Sequence, residues 1–224
     1  MDPSFWEQRW ERSEIGFHQE QVNLHLRECW PRVGLPRGAA VFVPLCGKSN
    51  DLLWLRDQGY RVIGVELSAI AVEAFFAENH LSSTETDKGR YRCWQHGDVT
   101  LLCGDYFDLG PADVAGVGAV YDRASLIALP EDMRRRYVSH LSSLLGDRVP
   151  VLLVTLEYPE GQMDGPPFSV EEAEVRALYD ERYAIERLTV RDVLGDNARL
   201  REKGITRLIE KAYLLTARDA GTRG

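Results

Sequence analysis

The chain has 224 residues, of which 44% are hydrophobic and 28% charged, a composition typical of a globular protein with one core. Its 27 Lys and Arg against 35 Asp and Glu give a formal net charge of −8, which argues against nucleic acid as the main substrate because a negative field repels polyphosphate. The N-terminus has no secretory signal pattern and no apolar run reaches the roughly 18 residues of a membrane span, so we expect a cytoplasmic protein without membrane contact.

The first third of the chain has a strand, helix, strand, helix pattern. A continuous apolar run at residues 40–45 predicts a strand buried on both faces, and residues 51–58 predict a helix after a short turn. Residues 60–66 predict a second strand, and Ser68 is the expected cap of a helix over residues 69–79. This order is typical of a parallel βαβ unit.

The middle of the chain continues the alternation. In order, the pattern predicts a polar loop at 82–89, a hairpin or a strand with its lead-in from 91–94 and 99–103, a buried strand at 117–122, a helix at 130–146 and a central strand at 149–156. The strand at 149–156 is expected to be central because it is the most hydrophobic run.

The last third of the chain has a different pattern. Ser169 and Glu172 have the spacing of a capping box and predict the start of a helix through Tyr179. Residues 183–190 and 205–217 alternate apolar and polar residues, which favours a closing antiparallel pair.

The complete order predicts a doubly wound α/β sheet of about seven mostly parallel strands with an antiparallel C-terminal strand. We expect one domain, with an N-terminal helical lid over about residues 1–35, a core over 36–217 and a flexible tail at 218–224. In such sheets the ligand binds at the carboxyl ends of the first strands.

Neither the four cysteines nor the five histidines indicate a metal site or a disulfide framework. The cysteines form no CxxC pair, and the histidines show neither HxH nor HExxH spacing. We therefore predict reduced thiols and no bound metal, with Cys46 as a small packing residue.

The turn after the first predicted strand indicates the cofactor. Glu66 lies 19 residues after Gly47, close to the ~20-residue spacing at which an acid binds ribose hydroxyls. The turn has one glycine and no GxGxxG, which disfavours NAD, and Phe42 stands where a P-loop needs glycine. A ligand with adenosine but no phosphate remains, and S-adenosylmethionine is the commonest such cofactor. The alternative is that Gly47 only closes a tight turn and Glu66 only ends a strand.

Two further polar clusters follow later strands at the same expected edge. Asp105 and Tyr106 suit the binding of an adenine. The Asp105 carboxylate would accept a hydrogen bond from the adenine amino group, and the Tyr106 ring would cover the adenine. The alternative is an ordinary turn, in which Asp-Tyr pairs are also common. Arg123 ends the 117–122 strand and either faces the site or pairs with Asp122. The sequence there is not the Asn/Asp-Pro-Pro-aromatic turn of enzymes that methylate nucleobase amines, so that activity is disfavoured.

Aromatic residues of the N-terminal segment predict a lid. Trp6 and Trp10 are four residues apart and share a helix face. We interpret Trp6 as a latch, and Trp10 and Phe17 as ligand contacts, because a sulfonium cation and a flat acceptor both suit aromatic walls. The segment 161–168, which ends at Phe168, either covers the acceptor or is a plain surface loop.

Taken together, these segments resemble the thiopurine S-methyltransferase family, particularly its bacterial members, over nearly the whole chain. The segments that carry the resemblance are Trp6-x3-Trp10, IGFHQ at 15–19, PLCGKS at 44–49, GVELS at 64–68, CGDYFD at 103–108 and YDRA at 121–124. The resemblance implies a class I methyltransferase fold, S-adenosylmethionine as methyl donor and aromatic or heterocyclic thiols as acceptors. Bacterial members are also associated with methylating selenium and tellurium species.

Position by position, the resemblance implies a set of site residues. Those for the donor are Trp10, Leu45, Gly47, Glu66, Asp105, Tyr106 and Arg123. Those for the acceptor are Phe17, Phe168 and Arg199, with a solvated basic loop as the alternative for Arg199.

We expect in-line transfer to the sulfur of a small aromatic thiol by a monomer. Arg123 or Arg199 would favour the thiolate by charge, and no general base is assigned, since His18 is interpreted as a helix cap or a packing residue. Two alternatives stay open: a methyltransferase with an oxygen, nitrogen or metalloid acceptor, and a sensor that binds S-adenosylmethionine without catalysis.

Overall fold

The computed structural model describes residues 3–16, 18–146 and 148–218, and within these ranges nine strands form one sheet. In chain order the strands are β1 (Ala40–Val43), β2 (Arg61–Glu66), β3 (Thr84–Asp87), β4 (Arg92–His96), β5 (Val99–Cys103), β6 (Val117–Arg123), β7 (Val151–Glu157), β8 (Tyr183–Asp192) and β9 (Ile209–Ala217). The helices are α1 (Pro3–Glu11), α2 (Leu24–Cys29), α3 (Asp51–Asp57), α4 (Ala69–Glu78), α5 (Ser125–Ala128), α6 (Glu131–Leu145), α7 (Glu172–Tyr179) and α8 (Ala198–Glu202). Short 3₁₀ turns lie at Trp30–Val33 and Tyr106–Asp108.

The sheet has a parallel centre and antiparallel edges. Its strand order is β3-β4-β5-β2-β1-β6-β7-β9-β8. Strands β5, β2, β1, β6 and β7 run parallel, whereas β3, β4, β8 and β9 join through antiparallel pairs. The doubly wound α/β class, the hairpin at β4 and β5 and the antiparallel C-terminal pair are therefore as predicted.

Two expectations about the sheet are wrong. Residues 82–89 are not only a loop, because they contain β3, which pairs with β4. All four β3 residues are polar and exposed. The described residues thus form nine strands instead of about seven. An edge strand needs backbone ladder bonds but no apolar face, so its sequence carries no hydrophobic signal. The second wrong expectation is that β7 is the central strand: β7 is buried throughout but lies third from an edge, and β1 is central. Hydrophobicity did not identify the centre because any interior strand with both faces covered can be fully apolar.

The alternation of side chains along β1 builds both halves of the core. Val41 and Val43 pack on one face with Leu52 and Leu55 of α3, and Phe42 packs on the other face. Each of these side chains is almost fully buried, which contributes roughly 1.5–3 kcal/mol per residue. This packing fixes the turn that follows β1 in place.

The two predicted helix caps have different outcomes. The Ser68 hydroxyl accepts from the Ala71 N–H (3.4 Å) and caps α4 as predicted. The capping box at Ser169 is wrong, because α7 begins at Glu172 and the Ser169 hydroxyl instead bonds both backbone groups of Tyr158 (3.0 Å each). The Glu172 N–H donates to Glu157 Oε1 (3.0 Å), so β7 supplies the partner that a cap would have supplied.

The chain ends are described only in part. Residues 1–2, 17, 147 and 219–224 lie outside the described residues, and most of the predicted tail is among them. Arg218, which is described, donates from Nε to the Tyr183 carbonyl (3.0 Å). Among the described helices, none combines the length and the apolar character that crossing a membrane requires.

Candidate active site

A cavity of about 790 Å³ opens at the carboxyl ends of β1, β2, β5 and β6, where the strand order predicts a ligand. Its walls come from α1 and the segment after it, from the turns after these four strands, and from residues 163–167 beyond β7. Residues 196–200 around the start of α8, together with Leu208 and Glu210, complete it on the side of β9. The site therefore draws on nearly the whole chain.

Glu66, at the end of β2, is fixed beneath the turn that follows β1. Its carboxylate accepts from the Gly47 N–H (Oε2, 2.9 Å) and the Ser68 N–H (Oε1, 2.8 Å) and is 7% exposed. Burial raises the pKa of Glu66, and the backbone N–H groups of Ser68 and Gly47 oppose that rise. Because each carboxylate oxygen can accept a second hydrogen bond, Glu66 can also bind two hydroxyl groups of a ligand in the cavity.

The turn itself needs an unusual backbone. Leu45 and Gly47 both have positive φ, 46° and 54°, which brings consecutive backbone groups to the cavity. Cys46 lies between them with its Sγ against Gly64, where a Cβ would come within 2.7 Å of the sulfur. Burial raises the pKa of Cys46 well above its usual value, so its structure agrees with a packing role.

Helix α1 lies directly over this turn. Trp10 is 6% exposed, and a Cβ on Gly47 would lie 3.4 Å from its ring. Trp6, which we predicted to be a latch, also lines the cavity, as does His18. Burial, followed by the nearby Lys48 ammonium, lowers the pKa of His18.

Asp105 and Tyr106, after β5, form the next part of the wall. Asp105 Oδ1 accepts from the Phe107 N–H (2.9 Å) and starts the 3₁₀ turn. Tyr106 is 5% exposed, stacks on Tyr137 at 4.8 Å between ring centroids and donates to the Tyr137 carbonyl (3.1 Å). This arrangement offers a rigid aromatic edge beside a carboxylate.

Asp122 and Arg123, consecutive on β6, point to opposite faces of the sheet. Arg123 lines the cavity. Asp122 is fully buried behind it, accepts from the Tyr137 hydroxyl (Oδ2, 2.7 Å), and burial raises its pKa to about 6. Hydrogen bonds from Tyr137 and from the side chain and backbone of Ser125 oppose that rise.

Arg199, on α8, reaches the cavity from the opposite side. Its guanidinium packs so closely on Gly16 that a Cβ at residue 16 would overlap it. Both residues line the cavity, although Arg199 is exposed overall. Arg199 therefore connects the segment after α1 with the C-terminal part of the chain.

The acceptor-binding role of the two phenylalanines stays a prediction. Phe17 lies outside the described residues. Phe168 lies one residue beyond the lining segment 163–167; its N–H donates to the Ile127 carbonyl (2.7 Å) and its ring lies 5.7 Å from the Arg134 guanidinium. A role for Phe168 in acceptor binding gains no support from this position.

Sequence reasoning missed the polar residues at the floor of the cavity. Asp51 Oδ2 accepts from the Tyr121 hydroxyl (2.8 Å), and Glu210 Oε2 lies 3.3 Å from Nε2 of the fully buried His25. The available signal was the charged pair Glu210-Lys211 within the apolar strand β9. Residues from α2, α3, β6 and β9 meet here, and no local spacing connects them.

The sequence matches the thiopurine S-methyltransferase family over residues 1–218. It is 51% identical over 218 residues to the thiopurine S-methyltransferase of Methylococcus capsulatus, covering 97% of this chain and 98% of that protein. It is 48% identical over 220 residues to the protein of the same name from Nitrosospira multiformis, covering 98% and 100% of the two chains.

Solved structures of other methyltransferases share the fold. The Burkholderia thailandensis 1,6-didemethyltoxoflavin-N1-methyltransferase, solved with bound 1,6-didemethyltoxoflavin and S-adenosylhomocysteine, is 16% identical with a TM-score of 0.62, covering 96% of this chain and 87% of that one. The Synechocystis magnesium protoporphyrin IX methyltransferase, solved with S-adenosylhomocysteine, is 18% identical with a TM-score of 0.62, covering 96% and 100%. At these identities the likeness confirms the predicted class I methyltransferase fold.

Proposed function

We propose that this enzyme, which belongs to the thiopurine S-methyltransferase family, transfers a methyl group from S-adenosylmethionine to the sulfur of an aromatic or heterocyclic thiol. The observation that carries the proposal is the buried Glu66 carboxylate, held by two backbone N–H groups at the edge of a cavity large enough for a nucleoside and a flat acceptor. S-Adenosylhomocysteine is the second product.

The described residues fit the donor. Glu66 can accept from both ribose hydroxyls, and Asp105 beside Tyr106 can accept from an adenine amino group. The turn has a single glycine, Gly47, so its backbone can come close to a bound nucleoside at one point. A pyrophosphate would need such close contact with the backbone at several points. When bound, the donor supplies a methyl group on a positively charged sulfur, for which the ring of Trp10 is a suitable neighbour.

The enzyme's own part in the transfer is alignment, charge and the exclusion of water. Transfer between two sulfur atoms needs the acceptor in line with the methyl group, and holding both molecules in one cavity supplies that geometry. Arg123 and Arg199 line the cavity and favour an anionic acceptor sulfur. Trp10 of α1 lies over the turn at Gly47 and Arg199 packs on Gly16, and we expect both side chains to limit the entry of water.

We also propose a small-molecule acceptor and a cytoplasmic monomer, without nucleic acid or membrane as partner. The net charge of −8 supports the exclusion of nucleic acid. Light scattering after size exclusion should give a mass near 25.4 kDa, and a mass near twice that value would refute the monomer.

Calorimetry followed by a transfer assay tests the function. We expect S-adenosylmethionine to bind and NAD not to bind, and we expect methylation of an aromatic thiol to exceed that of a catechol or of selenite. Failure of S-adenosylmethionine to bind would refute the cofactor. Binding without transfer to any thiol would refute the S-methyltransferase and leave either a sensor or, with selenite methylated, a metalloid methyltransferase.

A further inference from the structure

We propose that Glu210 is a catalytic residue that accepts the proton of the acceptor thiol, and that His25 is a positioning residue behind it that takes up this proton in turn. The inference rests on the proposed S-methyl transfer and adds the proton acceptor that the sequence did not reveal. A thiol attacks far better as thiolate, so a group that removes its proton raises the rate of transfer.

The position of Glu210 follows from how the donor divides the cavity. If Gly47, Glu66 and Asp105 hold the nucleoside at the ends of β1, β2 and β5, the acceptor occupies the remaining space toward β6, β7 and β9. Glu210 lines that space beside Leu156, its register partner on β7. Glu210 therefore borders the space left for the acceptor.

Behind Glu210 is a histidine without contact to water. The side chain of His25 is 1% exposed and that of Glu210 is 17% exposed, and Nε2 of His25 lies 3.3 Å from Glu210 Oε2. Nε2 makes no well-aligned hydrogen bond with any described residue, so Glu210 is the polar group it faces. The Glu210 oxygen and His25 Nε2 are therefore close enough for a proton to pass from one to the other.

The other ring nitrogen allows this exchange. His25 Nδ1 lies 2.6 Å from the Thr189 hydroxyl, which can donate to a bare nitrogen or accept from a protonated one. Thr189 thus supports both neutral tautomers and the imidazolium. Imidazole is the side chain that gains and loses a proton most readily near neutral pH, which suits it to end a proton transfer.

The backbone of His25 is held in place by the start of α2. Asn23 Oδ1 accepts from the backbone N–H of His25 (3.0 Å) and caps the helix, and the backbone N–H of Asn23 donates to Asp51 Oδ1 (2.8 Å). Asp51, which lines the cavity, is held in turn by the Tyr121 hydroxyl. A chain of hydrogen bonds thus connects the cavity wall with the backbone of His25.

Other charged groups lie near the pair of Glu210 and His25. On β8, Arg191 is the register partner of Glu210 but bonds Glu28, and on β9 the adjacent Lys211 bonds Glu157 on the other face of the sheet. Titratable or charged groups on other elements near the pair are Asp51 on α3, Tyr121 and Arg123 on β6, and Cys29 on α2, whose Sγ lies 3.9 Å from the Thr189 hydroxyl.

The step balances as a proton transfer followed by a methyl transfer. The S–H bond of the acceptor breaks, its proton goes to a Glu210 oxygen and on to His25 Nε2, and the electron pair stays on sulfur. That pair forms the new S–CH₃ bond as the bond between the methyl group and the donor sulfur breaks, which yields the thioether and S-adenosylhomocysteine. After the products leave, the proton returns from His25 to Glu210 and from Glu210 to water in the cavity.

Two acceptors of different thiol acidity test the catalytic part at pH 6. We expect Glu210→Gln to lower kcat/KM about 100-fold for the mostly protonated 4-methoxythiophenol, within the range for general bases, and less than about threefold for the ionised 4-nitrothiophenol. His25→Gln should give the same pattern with a smaller loss. Glu186→Gln, an exposed carboxylate on β8, is the matched control and should change neither value. Equal losses on both thiols would overturn the proposal.

Histidine NMR tests the proton itself without turnover. In the complex with S-adenosylhomocysteine, 4-methoxythiophenol should convert the ring signals of His25, identified by their loss in His25→Gln, toward imidazolium. The thioether 4-methoxythioanisole, which has no thiol proton, should not. Unchanged His25 signals with the thiol would overturn the proposal. A wild-type enzyme that methylates neither thiol would instead refute the proposed function.

Discussion

Replacing Glu66 separates its charge from its role in holding the turn. The carboxylate accepts from the Gly47 and Ser68 N–H groups and is proposed to accept from the donor as well. In Glu66→Gln the side-chain oxygen can still accept one of the two backbone N–H groups, while the amide NH₂ opposes the other. In Glu66→Ala both N–H groups lose their partner.

The magnitude follows from these contacts. A hydrogen bond to a charged group is worth roughly 1.5–3 kcal/mol, so losing one in the complex should raise the Kd of S-adenosylmethionine about 10- to 100-fold in Glu66→Gln. In Glu66→Ala each unpaired buried N–H costs the folded state about 1–3 kcal/mol. The variant no longer has to bury a carboxylate, and this gain offsets the cost only in part. Donor affinity and stability should therefore fall together in Glu66→Ala, and mainly affinity in Glu66→Gln.

Isothermal titration with S-adenosylmethionine and S-adenosylhomocysteine measures the affinity, and thermal unfolding measures the stability. Glu73→Gln, which changes an exposed carboxylate on the neighbouring α4, is the control and should leave both unchanged. A Kd for folded Glu66→Gln within about twofold of wild type would refute the assignment of Glu66 to the donor, since a loss of charge at a binding contact cannot be that small.

Three further substitutions test other parts of the site. Because burial raises the pKa of Asp122 to about 6 from its ordinary 3.8, the folded state retains a proton that the unfolded state loses, and stability should fall by about 2 kcal/mol between pH 4 and 6. Asp122→Asn should remove that fall in urea unfolding, and the same pH dependence in both proteins would contradict it. Gly47→Ala should lower the free energy of unfolding by about 1 kcal/mol and weaken donor binding, whereas Gly97→Ala, with similar φ but open space around it, should affect stability alone. Gly16→Ala should displace Arg199 and raise the acceptor KM several-fold with donor Kd unchanged, and a changed donor Kd would argue that Arg199 serves the donor.

The order of elements could be predicted because the sheet is built from apolar runs. Strands β1, β6 and β7 are buried on both faces, and such runs are visible without any knowledge of the partner strands. Strand β3 could not be predicted this way, since its stability comes from backbone pairing with β4. The capping box at Ser169 failed because a tertiary contact from Glu157 replaced the local one.

The site residues also differ in whether their positions could be predicted from the sequence. Leu45, Gly47 and Glu66 lie within one βαβ unit, so their spacing along the chain reports their proximity in space. Glu210 and His25 lie on β9 and α2, near opposite ends of the sequence, and only the packing of the sheet brings them together. Their chemistry was therefore invisible to spacing rules.

The contact between Gly16 and Arg199 has a consequence for how the chain acquires its site during synthesis. The first helix leaves the ribosome early, but the residues that complete the cavity around it, including Arg199 and Glu210, emerge near the end. A growing chain can pair β1 with β2 long before it encloses any ligand. Binding at the finished cavity then ties the two ends of the polypeptide together, so bound S-adenosylhomocysteine should protect both ends from proteases in the same experiment.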